Sequence, residues 1–292
     1  MKKIKWSHSL DKNVQTCQRK AFYTGLFACP QAKDGSLRRE VFLLKSAIDV
    51  PLWRGNIVHL AIQECILPAL KSGQEPDFRA AQKWALELID KQVAFSKNER
   101  YRHQSKKSAG NEFCVLRSDL TSNGATEDEI NKVRGEVIIA LNNLDSHFSD
   151  LLYRAGQARR IEIEKELHFP IDDKIQVNAK IDFLFIEQSN RMIIIDWKAG
   201  ESISGNARDQ LHAYAYAAIN CHYWKDISYK NIKLIEANLL TGERTTYALS
   251  EDVDDRIFVG SQLLKKVLPV KRLICGRRKM KNLHNHLFIN TV

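Results

Sequence analysis

The sequence predicts an α/β protein in which helices flank a β-sheet drawn mainly from the second half of the chain. Three observations carry this expectation. Arg160 to Pro170 (RIEIEKELHFP) and Val177 to Glu187 (VNAKIDFLFIE) both alternate apolar and polar residues at strand period. Arg191 to Gly200 (RMIIIDWKAG) is a short apolar run that ends in Asp196-Trp197-Lys198. Helical spacing dominates the residues on either side of these strands.

In chain order, Ser7 to Tyr23 reads as a helix capped by Ser9 or Asp11, with Cys17 as a packed thiol. Arg39 to Leu52 has no clean period. Gly55 to Leu67 (GNIVHLAIQECIL) reads as a helix apolar nearly all round, hence buried on most sides. His59 lies in it, with Gln63 one turn later on the same face. A lone histidine in such a helix is more often a core residue than a ligand.

Asp77 to Gln92 and Ala125 to Tyr153 are amphipathic helical stretches. The second opens with a capping box, Thr126-Glu127-Asp128-Glu129, and carries the apolar stripe Ile130, Val133, Val137, Leu141, Leu144, Phe148 and Leu151. Between them Lys97 to Gly110 is polar and basic, either a solvated loop or a flexible phosphate-contacting one. The strand at Arg160 places Glu162, Glu164 and Glu166 on one side. Most are expected to form an exposed stripe, with Glu164 or Glu166 as a candidate neighbour of Asp182.

Asp172-Asp173 and Gln188-Ser189-Asn190 are turn chemistry, so three strands should form a meander. Asn206 is expected to cap a helix from Ala207 to about His222, with Gln210 and Tyr214 one above the other. Lys233 to Leu240 and Glu243 to Leu249, joined at Thr241-Gly242, read as a hairpin. Asp252 to Val267 reads as a closing helix. The end is basic, with Lys271, Arg272, Arg277 and Arg278 interleaved with apolar residues, which favours a docked polyanion-binding edge over a solvated tail.

Composition narrows the function classes. The 292 residues carry a formal charge of +10, which favours a polyanionic partner without identifying one. Six cysteines without any C-x-x-C pair suggest reduced thiols and a cytoplasmic location. MKKIKWSHSL lacks an apolar h-region, so no signal peptide is expected, and no run is long enough to span a bilayer. The absence of any Gly-Lys dipeptide excludes a P-loop.

The chemistry concentrates at the strand ends. Period-2 geometry places Asp196 and Lys198 on one face of their strand, opposite Trp197. Alone, that is compatible with a solvated ion pair. Folding the chain about Ser189 brings Asp182 within a residue of Asp196. Directly opposed residues have Cβ atoms roughly 5 Å apart. Two half-buried carboxylates at that distance repel unless a cation lies between them. Such spacing suits an oxygen-ligated Mg²⁺ or Mn²⁺.

Taken together, Gly55-x-x-x-His59, Asp182 within AKIDFLF, Asp196-Trp197-Lys198 and Gln210-x-x-x-Tyr214 resemble the PD-(D/E)xK nuclease superfamily. The likeness is to its RecB-like branch, which includes CRISPR adaptation nucleases. The opening SHSL…CQRKAFY is also similar to that branch. The resemblance covers most of the chain except about residues 70–155.

It implies a central mixed β-sheet flanked by helices, a restriction-endonuclease-like core. The expected organisation is one domain over 1–292, with a helical insertion at about 70–155 and a basic segment at 265–292. It further implies His59, Asp182, Asp196 and the Trp197 carbonyl as Mg²⁺ or Mn²⁺ ligands. Asp182, Asp196 and Lys198 would be catalytic, and Gln210 and Tyr214 would hold the substrate strand. DNA, single- or double-stranded, is the implied substrate, in repair, recombination or defence against foreign DNA. A nuclease without its own motor is a candidate for recruitment by a protein partner. Some members carry a four-cysteine iron–sulfur cluster. Only Cys17 and Cys275 stand in comparable regions here, so no cluster is expected. A non-catalytic nucleic-acid-binding subunit that keeps the fold is the alternative.

Overall fold

The structure is a computed structural model that describes residues 4–7, 13–121, 124–170, 175–200, 207–220, 224 and 227–249. Several expectations lie outside those residues. They are the caps at Ser9, Asp11 and Asn206, the Asp172-Asp173 turn, the helix from Asp252, and the basic residues Lys271, Arg272, Arg277 and Arg278.

The described strands form one mixed sheet. They are β1 (Ile4–Trp6), β2 (Arg160–Pro170), β3 (Ile175–Ile186), β4 (Met192–Lys198), β5 (Ile232–Asn238) and β6 (Arg244–Tyr247). The order is β1-β3-β4-β5-β6, with β2 paired to β3. The predicted meander β2-β3-β4 is antiparallel throughout. Because β3 is long, its first residues pair with β1 in parallel and its last pair with β4. β5 lies parallel to β4, which requires a crossover, and the helix at Ala207–Asn220 provides it. β5 and β6 form the predicted hairpin, and Gly242 turns it with φ of 75°.

β4 is buried from Met192 to Trp197 because helices cover both of its faces. The helices used below are α1 (Leu37–Ser46), α2 (Val50–Ala61), α3 (Phe78–Lys97), α4 (Glu127–His147), α5 (Ser149–Gly156) and α6 (Ala207–Asn220). One core layer joins α2, α3, α4 and α5 to Phe183, Phe185, Ile193, Ile195 and Trp197. The opposite layer joins α6 to Leu184, Met192, Ile194 and Leu234. Each fully buried Ile or Met of β4 contributes about 1.5–3 kcal/mol.

Helix boundaries differ from the sequence reading where caps outweigh periodicity. α1 occupies much of the stretch without a clean period, and the Ser36 side chain accepts from Arg39 N at its start. α2 begins at Val50 rather than Gly55, because Asp49 accepts from Leu52 N at 3.1 Å and Pro51 preorganises the first turn. It passes into a π-helical turn at Ile62–Ile66 before a short helix continues to Lys71. The Thr126–Glu129 capping box forms as expected, and every residue of the predicted stripe is buried. The helix nevertheless breaks at Phe148, whose φ of −124° separates α4 from α5.

Two further expectations are corrected. Cys17 is exposed, and its Sγ caps the helix Gln18–Phe22 by accepting from Lys20 N. Lys97–Gly110 is not a flexible loop but holds a 3₁₀ turn at Arg100–Arg102 and a short helix at Lys106–Ala109. The buried Arg39 guanidinium fixes that turn by donating to the carbonyls of Tyr101 and Arg102 at 2.9 and 3.1 Å. Arg102 pairs with Glu99 and Glu40, and Arg100 lies over the Phe95 ring. These arginines are already engaged within the fold.

Candidate active site

Strand register assembles the acids. Phe183 pairs with Ile195, so the next step along both strands puts Asp182 beside Asp196. On the other edge of β3, Ile163↔Phe183 and Lys165↔Ile181 bracket Glu164 opposite Asp182. In the parallel pair, Asp196 is partnered with Glu236. Four carboxylates therefore form a row across β2, β3, β4 and β5.

The sheet changes phase at this row. Ile161, Ile163, Phe183 and Phe185 pack into the α2–α5 layer, whereas Leu167, Ala179 and Ile181 pack into the α6 layer. Glu164 stands at the switch with φ of 49°, in the left-handed region where a non-glycine residue is uncommon. The distortion makes Glu164, one of the two candidate neighbours of Asp182, a partly buried group paired with Lys180. Glu166, by contrast, is exposed as expected.

α2 delivers His59 to the same place. Its Nε2 is 2.9 Å from Trp197 O and its Nδ1 is 3.7 Å from Asp182 Oδ2. A carbonyl only accepts, so Nε2 carries the proton and a neutral ring turns the Nδ1 lone pair toward Asp182. Burial favours that neutral form by lowering the imidazole pKa, against the opposing charge of Asp196. One ligand atom each from His59, Glu164 and Asp182 lie within 4.8 Å of one another.

Asp196 is fully buried, and its Oδ1 has no hydrogen-bond partner among the described residues. Lys198 Nζ stands 2.5 Å from Asp196 Oδ2 and donates to Gln210 Oε1 at 3.1 Å. Gln210 Nε2 donates to the Tyr214 hydroxyl at 2.5 Å. In this structure Gln210 and Tyr214 thus form a relay that ends on Lys198. Burial and then the charge of Glu164 push the Asp182 carboxyl up to about 6. Burial and then Asp182 push Asp196 up to about 7, although Lys198 acts in the other direction.

These residues fit a divalent cation. An imidazole lone pair and a carboxylate face each other as two acceptors, a second carboxylate closes the triangle, and a buried carboxylate oxygen beside them lacks a donor. A cation satisfies all of these groups at once. Hard oxygen donors with one imidazole suit Mg²⁺ or Mn²⁺. Trp197 O, expected as a ligand, accepts from His59 with one of its two lone pairs, and Glu164 joins His59 and Asp182 in the cluster. All of this opens into a cleft of about 940 Å³ whose lining includes His59, Glu164, Asp182, Lys198 and Tyr214.

Sequence reasoning passed over two groups. Arg54 is buried next to Gly55, where its Nε donates to Ala199 O at 2.9 Å and its Nη1 pairs with Glu136 of α4 at 2.5 Å. The only signal was a cation on an otherwise apolar helix. Glu236 is buried in β5, and its Oε2 accepts from the Tyr247 hydroxyl at 2.6 Å. A glutamate inside an apolar strand was its signal.

The family pattern described as PD-(D/E)XK nuclease superfamily matches residues 5–234, which contain most of β1, β2 to β4, the start of β5, and His59, Glu164, Asp182, Asp196 and Lys198. No curated protein matches the chain. Nucleases of this superfamily generally use divalent metals, and no helix among the described residues is long and apolar enough to cross a membrane. With its mixed sheet, flanking helices and a match over most of its length, the chain belongs to the PD-(D/E)XK nuclease superfamily.

Proposed function

We propose that this protein is a Mg²⁺- or Mn²⁺-dependent deoxyribonuclease of the RecB-like branch, acting in DNA repair, recombination or defence against foreign DNA. The observation that carries the reading is the approach of the His59 Nδ1 lone pair to Asp182 Oδ2 at 3.7 Å, an arrangement that calls for a cation. His59, Glu164 and Asp182 would hold the ion, with Asp196 contributing its unpartnered oxygen. When bound, it supplies Lewis-acid charge beside the scissile phosphate and acidifies water there.

The chain's own groups do the remaining work. Lys198 places an ammonium where negative charge develops on phosphorus and offsets it in the transition state. Gln210, held by Tyr214, orients that ammonium together with Asp196. His59 and Arg54 grip the carbonyls of Trp197 and Ala199, so the backbone on both sides of Lys198 is fixed before substrate arrives. Such preorganisation is what keeps a reacting geometry from costing rate. We read the chain as one domain, since the helices of the insertion share a core with the His59 helix and the sheet.

The test is digestion of end-labelled single-stranded, linear duplex and closed circular DNA with Mg²⁺, Mn²⁺ or EDTA. Asp196→Ala and Lys198→Ala proteins run alongside. Metal-dependent cleavage that both variants lose supports the reading. DNA binding without cleavage under any metal would overturn it in favour of a binding subunit.

A further inference from the structure

The cleft has two walls of different chemistry. The strands bring Glu164, Asp182, Lys180 and Lys198, which are groups for metal and phosphate. The other wall, built by α2 with its Asp49 cap and the segment that precedes Cys114, mixes apolar and amide side chains with the charged Asp49, Arg54 and Lys106. Leu52, Asn56 and His59 recur at helical spacing, so one face of α2 runs along the cleft through His59, and Gln63 of the π-helical turn extends it. Leu52 stands about 10 Å from His59 along the helix axis. It is 53% exposed, whereas Trp53, Ile57, Val58 and Ala61 of the same helix are buried. Asn111 and Phe113 also line the cleft.

This wall is fixed in place. Ile48 N donates to Val115 O at 2.9 Å and Arg117 N donates to Ile48 O at 2.8 Å, which ties the entry of α2 to the 113–117 segment. Trp53 Nε1 donates to Gln92 Oε1 at 2.8 Å, and Gln92 Nε2 donates to Asn111 O at 2.5 Å. Helices α2 and α3 thus hold Asn111 against the cleft through a buried glutamine. Of this surface, Asn111 and Phe113 come from the helical insertion, whereas Leu52, Asn56 and Gln63 come from α2 and the turn that follows it.

Apolar and amide side chains are poor partners for phosphate and good ones for nucleobases, which pack on apolar surfaces and hydrogen-bond through their edges. In a duplex the bases are stacked and paired, and a base reaches such a wall only when unpaired.

We propose that Leu52, Asn56, Gln63, Asn111 and Phe113 form a subsite for unpaired nucleobases next to the scissile phosphate, so that the substrate is a single strand or a frayed end. The inference rests on the nuclease reading, because the phosphate is placed by the carboxylates of that site. It adds that the strand is held partly through its bases.

The experiment measures cleavage of a thirty-nucleotide single strand, the same strand with one abasic position moved along it, the blunt duplex and the matching RNA. Leu52→Ala is the first variant, because an exposed side chain is removed without touching the core. Asn56→Ala is the second. Expected are a rate on the single strand at least about tenfold above the blunt duplex, and slower cleavage of the bonds beside the abasic position. Leu52→Ala should raise KM for the single strand by at least about fivefold, the low end of losing one base contact. Equal cleavage of abasic and intact strands, or equal rates on the blunt duplex, would overturn the subsite while leaving the nuclease intact. If nothing is cleaved under any metal, fluorescence anisotropy with intact and abasic strands separates the two ideas. Tighter binding of the intact strand keeps the subsite and sinks the nuclease reading, whereas equal binding sinks the subsite. The RNA arm decides whether the wall accepts either sugar.

Discussion

Replacing Asp196 by Asn should make the metal-free protein more stable at pH 8 while abolishing nuclease activity. Asp196 is buried beside Asp182, and its carboxyl is raised from an ordinary 3.8 to about 7. The folded state therefore binds a proton more tightly than the unfolded chain does. Between about pH 4 and pH 7 the folded protein holds more protons, so this group's contribution to stability falls as pH rises. Above pH 7 the full ionisation penalty is present, roughly 4 kcal/mol from a shift of about three units at 1.36 kcal/mol each. Asn removes the penalty, but it also breaks the ion pair with Lys198, so the net gain expected is about 1–3 kcal/mol. For a chain of 292 residues, with an unfolding entropy of about 2.1 cal/mol/K per residue, that corresponds to a rise in Tm of roughly 2–5 °C. The assay is thermal unfolding in EDTA at pH 4.5 and pH 8, repeated with Mn²⁺. The variant should gain at pH 8 and little at pH 4.5, and Mn²⁺ should raise the Tm of wild type only. A variant less stable than wild type at pH 8, or an equal gain at both pH values, would refute the reasoning.

The other predictions concern neighbours of that group. Lys198→Ala should lower kcat by about a hundredfold or more while leaving Mn²⁺ affinity, read by calorimetry, within a few fold, because its charge acts on the phosphate. Arg54→Gln breaks the ion pair with the partly buried Glu136, which keeps Lys132 nearby, and should cost about 1.5–3 kcal/mol in urea unfolding. Arg54→Lys should recover part of the stability but little of kcat, since a lysine does not span Ala199 O and Glu136 together. Cleavage should weaken as pH falls below about 7, where Asp196 and Asp182 gain protons, and added Mn²⁺ should move that acid limb to lower pH. A limb that ignores metal concentration would assign it to another group.

The strands were legible because their period is local. Alternation in RIEIEKELHFP and the apolar run into Asp196 fix faces and ends, and the turn residues at Ser189 fix the register within one step. The placement of Asp182 next to Asp196 follows from that register alone. Glu164 was harder to place, because its burial depends on a backbone distortion that no residue type at that position announces. Arg54 was unreadable for another reason. Its partners, Glu136 and Ala199 O, lie 82 and 145 residues away, and only tertiary packing brings them together. The start of α2 was missed although its signal was present, since Asp49 followed by Pro51 is a helix-start signature that weak periodicity obscured.

The same physics explains why the acids sit where they do. A row of carboxylates across four paired strands is unfavourable for folding, as the raised Asp182 and Asp196 show. The surrounding core tolerates it because both faces of β4 are covered by large apolar side chains. Trp197 stacks on Phe183 with ring centroids 6.0 Å apart, which locks the two strands at the level of the acids. Stability gained one residue away from each carboxylate thus holds repelling groups at cation-binding distance. The phase change at Glu164 then lets β2 add a third acid that regular pleating would have left exposed. A cation that neutralises the row should therefore stabilise the fold and complete the site in one event, so the rise in Tm on adding metal should track metal affinity across variants of His59, Glu164, Asp182 and Asp196.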